Sequence, residues 1–294
     1  MSRSFDVSTL PSHWTEPRTC ARIHLLPARQ SPRVVVLRRQ PSKVYHVMTW
    51  NTRNDAIEHG SWFRGRLYEA RCDVSWDGAW MVYLAMGRSG DTWNGICRPP
   101  WLKTRVDVPN CGTWAGGGVF VERRRLLAND HWHWNRSLSE FSGKGGLPFM
   151  IEHLESGGET FPILSYRLER DGWKRNGPPE PTGEIMITLP HKTYANVCPD
   201  DPGWELRPSP AHPTLFMYFR GYLVGGYTFE FELEGSNLLG PEVDWATWSC
   251  NGDLLVARRG AIERYTLEAL RRGEPTFRLD LEALTPPWEQ SAAP

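Results

Sequence analysis

"VDWATWSCNGDLLVARRG" (Val243–Gly260) and "EARCDVSWDGAWMVYLA" (Glu69–Ala85) carry one short phrase twice. Ser249-Cys250-Asn251-Gly252 aligns with Ser75-Trp76-Asp77-Gly78, which lies 174 residues earlier. Each copy is followed by apolar residues ending in Leu255-Val256 or Met81-Val82. Asn-Gly and Asp-Gly are strong signals for a tight turn between antiparallel strands, because both central positions of such a turn favour positive φ. A turn-and-strand unit used twice predicts a fold assembled from similar small sheets.

Strand signals continue outward from the two copies. "RVVVLRR" (33–39) and "KVYHVMTW" (43–50) are rich in β-branched and aromatic residues and are separated by Gln40-Pro41-Ser42. In "YTFEFELEG", Tyr227, Phe229, Phe231 and Leu233 alternate with Thr228, Glu230, Glu232 and Glu234. That period of two predicts a half-buried antiparallel strand near a sheet edge. Helix signals are sparse, and only "TLEALRRG" (266–273) reads as two turns ending at Gly273. Weaker turn signals fall at Glu122–Arg125 and Asp171-Gly172. Positions 78, 124, 172 and 221 are 46, 48 and 49 residues apart, and Gly252 follows 31 later. A spacing of this kind predicts propeller blades of four strands each.

"SWDGAWMVYLA" (75–85), and more loosely the copy at Ser249–Gly252, resembles the repeat phrase of WD40-like propellers of the TolB and prolyl oligopeptidase type. The resemblance implies an all-β chain forming a single β-propeller of five to seven four-stranded blades. Such a ring would close by pairing "TFRLDLEAL" (276–284) with "RIHLL" (22–26) or "RVVVL" (33–37). The propeller is expected over residues 21–285, with loose tails at 1–20 and 286–294. It does not extend to a hydrolase domain, because no G-x-S-x-G nucleophile turn occurs.

Composition narrows the function classes. The 34 basic and 34 acidic residues balance, which argues against nucleic acid or an anionic membrane as a bulk partner. Only five of the basic residues are lysine, and arginine bias on this scale points to a GC-rich, bacterial genome. The opening "MSRSFDVSTLPSHWTEPRTC" has no apolar core of a secretory signal, and no apolar run approaches a bilayer span of roughly 18 residues. The six cysteines, at 20, 72, 97, 111, 198 and 250, form no C-x-x-C pair and read as reduced thiols. A cytoplasmic protein is expected.

No residue set announces a reaction, and no cofactor is expected. His131 and His133 in "NDHWHWN" would share one face of a strand and could hold a metal, but alternation with Trp132 and Trp134 equally suits a packed strand. "SGKGGLP" (142–148) lacks the spacing of a phosphate-binding loop. Glu152/Glu155 and Asp200/Asp201 read as surface charge. The 15 tryptophans are the oddest feature, five of them between Trp76 and Trp114. Trp93, Trp101 and Trp114 stand in loop-like stretches with Gly or Pro, and Arg123-Arg124-Arg125 forms a basic turn. Together they suggest one binding face on a non-catalytic scaffold that engages a protein partner. Carbohydrate stacked on the same tryptophans is the alternative.

Overall fold

The computed structural model describes residues 10–15, 19–40, 43–130, 137–144, 146–154, 160–178, 184–189, 192–223 and 226–290. A short helix α1 (Ser12–Thr15) precedes four strands that run up and down in sequence order. These are β1 (Arg22–Pro27), β2 (Arg33–Arg39), β3 (Val44–Asn51) and β4 (Ala56–Leu67). A second meander follows, made of β5 (Asp73–Val74), β6 (Met81–Gly87), β7 (Thr92–Arg98) and β8 (Trp101–Pro109). The end of β4 pairs with the end of β6, fusing both meanders into one eight-stranded sheet. The next sheet has three strands: β9 (Gly118–Glu122), β10 (Arg125–Ala128) and β11 (Met150–His153), the last parallel to β10.

Helix α2 (Phe161–Arg170) interrupts the strands before a six-stranded sheet. That sheet holds β12 (Lys174–Arg175), β13 (Ile185–Leu189), β14 (Lys192–Val197), β15 (Trp204–Leu206), β16 (Leu215–Leu223) and β17 (Gly226–Leu233). The last sheet is a meander of β18 (Val243–Trp248), β19 (Leu254–Arg258), β20 (Ala261–Tyr265) and β21 (Phe277–Asp280), with α3 (Leu267–Arg272) between its final two strands. Helix α4 (Pro287–Gln290) ends the described chain. The fold is therefore all-β in class, as the strand patterns predict. Among the described residues no helix is long and apolar enough to cross a membrane.

Burial falls across each complete meander. β5, β6 and the inner part of β7 are buried, whereas alternate residues of β8 face solvent. β18 to β20 are buried in the same way, and β21 alternates between half-buried and exposed. First strands sit inside and last strands outside, so apolar runs mark the one and alternating sequences the other. β1 packs against β18, β5 against β9 and β17 against β18. The principal core joins β1–β3, α2, β15–β17 and the last sheet through Leu25, Trp50, Leu168, Met217 and Trp245.

One copy of the phrase lies between β5 and β6 and the other between β18 and β19. Each serine closes its turn: Gly78 N donates to Ser75 O (2.7 Å) and Gly252 N to Ser249 O (3.0 Å). Ser75 Oγ also accepts from Trp80 N at 3.0 Å, and Ser249 Oγ from Asp253 N at 3.1 Å. Only the glycines take positive φ, +71° at Gly78 and +81° at Gly252. Asp77 and Asn251 do not, so these are longer loops than the two-residue hairpins expected. Asp77 instead accepts from Ser75 Oγ (2.5 Å) and Ala79 N (3.0 Å). The turns between first and second strands meet each other. Gln30 N donates to Trp76 O (2.8 Å), Ser31 Oγ to Asp77 O (2.8 Å) and Cys250 Sγ to Ser31 O (3.1 Å).

Several expectations need correction. Asp171-Gly172 is the end of α2 rather than a hairpin, with Asp171 N bonded to Arg167 O (2.9 Å) and Gly172 N to Glu169 O (3.0 Å). The ten-residue α2 escaped sequence reading because Arg167 interrupts its apolar face. Gly221 lies within β16 at a bulge, at φ +124°, where a Cβ would collide with Asn196 O. The terminal strands do not pair: among the described residues β21 bonds to β20 and β1 to β2. Side chains join the ends instead, with Glu282 Oε2 accepting from Ala21 N (2.8 Å) and Glu282 O from Arg38 Nη2 (2.7 Å). Two aromatic residues of the flanking segments make contacts with the strands. Trp14 is buried and donates Nε1–H to Glu230 Oε1 (2.6 Å), and Arg64 stacks on Trp288 (4.6 Å). Apolar rings so placed anchor both ends. The predicted edge strand is β17, which among the described residues pairs only with β16.

Candidate functional site

The chemistry-bearing side chains gather where β1, β17 and β18 begin and β2 and β4 end. Helix α2 fills the space beside these strands. Ile163, Leu164 and Leu168 bury its apolar side, but Arg167 and Arg170 point inward as well. Arg167 donates to Cys72 O (2.5 Å) and to His24 Nε2 (3.2 Å). Arg170 donates to both carboxylate oxygens of Asp73 and to Phe120 O (3.0 Å). Buried charges persist only when such partners satisfy them.

Above this layer opens a pocket of about 80 Å³ lined by Arg22, Arg39, Arg66, Glu69, Tyr227 and Asp244, with His24 and Trp245 among its other walls. Glu69 Oε1 lies 3.7 Å from Arg39 Nη1 and accepts from Tyr45 OH at 3.0 Å. Asp244 Oδ2 accepts from Ile23 N at 3.3 Å. Arg66 leans over the ring of Tyr68 (4.7 Å) and reaches Tyr222 OH only at 3.5 Å; its Nε is buried without a hydrogen-bond partner. Burial, then the adjacent Arg167, holds His24 well below the usual histidine range, so its ring is neutral and accepts a hydrogen bond from the guanidinium. Its ring lies 4.1 Å from that of Trp245.

The loop after β8 is pinned near this pocket. Arg71, almost fully buried, donates to Thr113 O (2.7 Å), Ala115 O (3.1 Å) and Thr160 Oγ1 (3.2 Å). Trp114 lies between the two clamped carbonyls and is 73% exposed. A large apolar ring is thus held in water by a fixed backbone.

No known protein family matches the sequence, and no curated protein is similar to it.

The residues expected to make one binding face are dispersed. Trp101 opens β8 and is 53% exposed, whereas Trp114 follows its far end; nine strand residues span about 30 Å. Trp93 is half-buried at the start of β7, its Nε1 3.3 Å from Tyr83 OH. Arg123 and Arg124 are exposed in the β9–β10 turn, and Arg125 pairs with Glu152 at 2.8 Å. Asp201 is buried against Arg175 rather than a surface charge (2.6 Å). His131 and His133 lie outside the described residues, and among the described ones no three His, Cys, Asp or Glu side chains group as metal ligands. The pocket arginines went unrecognised because Arg22, Arg39, Arg66 and Asp244 are scattered over 222 positions. The excess of arginine over lysine was the one sequence signal, and it names no positions.

Proposed function

We propose that the chain is a non-catalytic binding protein of β-propeller type, of bacterial origin, that engages a protein partner through the surface carrying Trp114. Three features support the propeller reading: the successive strand groups, their inside-to-outside burial, and the packing of β1 against β18. The groups ending at β4, β8, β11, β17 and β21 favour five blades within the expected five to seven.

The observation that carries the binding role is the exposed Trp114 on a loop fixed by buried Arg71. Rigid exposed aromatics make interface anchors, because little conformational freedom is lost when they are covered. Affinity capture from lysate of the source cells, with quantitative mass spectrometry, tests this. Trp114→Ala should lower retention of a stoichiometric partner at least about tenfold, while Trp101→Ala at the other end of β8 leaves it unchanged. Equal retention by both variants would refute the choice of surface.

A carbohydrate reading draws on a different place. Phe63, Tyr83, Trp93, Leu102, Thr104 and Asp107 line an open cleft of about 380 Å³. An aromatic wall beside a hydroxyl and a carboxylate suits a sugar ring. Saturable quenching of tryptophan fluorescence by oligosaccharides, lost in Trp93→Ala, is the expected result; a silent panel would remove this reading.

A further inference from the structure

We propose that the pocket between β1, β17 and β18 is a binding site for a small oxyanion group, a phosphate or a carboxylate. The inference is independent of the partner surface at Trp114. Three arginines line the pocket against two carboxylates, Glu69 and Asp244. Neither acid is free to serve Arg66 alone. Glu69 is shared with Arg39 (3.7 Å) and Tyr45 OH (3.0 Å), and Asp244 caps Ile23 N (3.3 Å).

In the layer beneath, Asp73 and Asp171 are paired with Arg170, Arg167 stands behind neutral His24, and Arg71 lies on the ring of Tyr68 at 5.1 Å, the same ring that Arg66 covers at 4.7 Å. Arg66 keeps a buried Nε–H without a partner and only a long contact to Tyr222. A buried guanidinium N–H without an acceptor is costly in a low-dielectric wall, and an oxyanion would supply that acceptor together with opposite charge. Planar, forked donors match the geometry of carboxylate and phosphate oxygens.

Size sets the rest of the assignment. The free volume of about 80 Å³ accommodates a small head group. Arg22 and Tyr227 at the wall leave the remainder of a larger ligand to project outward.

Isothermal titration of the full chain with inorganic phosphate and, separately, with succinate tests the site, chloride keeping the ionic strength constant. One-to-one saturable binding of at least one probe is expected, with Kd below about 1 mM. Arg66→Gln should weaken it tenfold or more, whereas Arg125→Gln, whose ion pair is at the β10–β11 surface, should leave it unchanged. If Arg66→Gln does not fold, Arg22→Gln at the wall serves in its place. A phosphate response without succinate assigns a phosphoryl group, and the reverse a carboxylate. No saturable heat from either probe, or undiminished binding in the arginine variant, overturns the proposal.

Discussion

Replacing Asp73 with alanine is expected to destabilise the fold by about 3–5 kcal/mol, read from the denaturant midpoint at constant slope. The carboxylate is 1% exposed and stands on the two-residue strand β5. It accepts from Phe120 N on β9 (2.7 Å) and takes both terminal nitrogens of Arg170 on α2. One side chain therefore ties together a first strand, the next sheet and the central helix. Its removal strands a buried backbone N–H and leaves Arg170, among the described residues, with only Asp171 as an anionic partner (2.9 Å). Burial pushes the Asp73 carboxyl above its usual range despite Arg170, so desolvation offsets much of the attraction. The pair fixes geometry more than it adds stability. Asp73→Leu combined with Arg170→Met should therefore lose less than the two single changes summed. Additive losses would contradict that account.

Acidification should weaken the protein before its carboxylates titrate. His46 is 2% exposed, paired across strands with Arg38 and stacked on Trp62 at 4.1 Å. Neither ring nitrogen has a hydrogen-bond partner. Burial, then His59 and Arg38, lowers its pKa to about 4. The folded state thus refuses a proton that the unfolded chain accepts near pH 6.5. The contribution of His46 should be full above pH 6.5, fall by about one proton's slope down to pH 4, and level off below. The loss amounts to about 3 kcal/mol. His24, lowered in the same direction by burial and then by Arg167, adds its own loss as the pH falls below 6.5. Unfolding free energies measured from pH 7.5 to 4 in the wild type and in His46→Phe provide the check. An identical slope in the variant would show that His46 is not responsible.

Local periodicity made much of the fold legible. Alternation in β17, the runs of β2 and β3, and Thr266 and Gly273 bounding α3 are each written within a few residues, because side-chain direction follows backbone period. The serine-turn phrase marked a loop between two strands in each place, since Ser75 and Ser249 need only neighbours within five residues to close their loops. Reading Asp171-Gly172 and Gly221 as further copies failed for the same reason. A glycine reports a required backbone angle, and a helix end and a bulge require it as much as a hairpin does.

The sequence by itself determined the all-β class, the principal strands and the turns between them, because these depend on interactions between near neighbours. Only the tertiary structure decided that α2 carries two arginines into the interior, that Glu282 joins the chain ends, and that Arg22, Arg39 and Arg66 surround one pocket. Those outcomes depend on side chains brought together from distant positions. A charged residue in a sequence reads as solvated until its buried partners, chosen by packing rather than by proximity along the chain, are known.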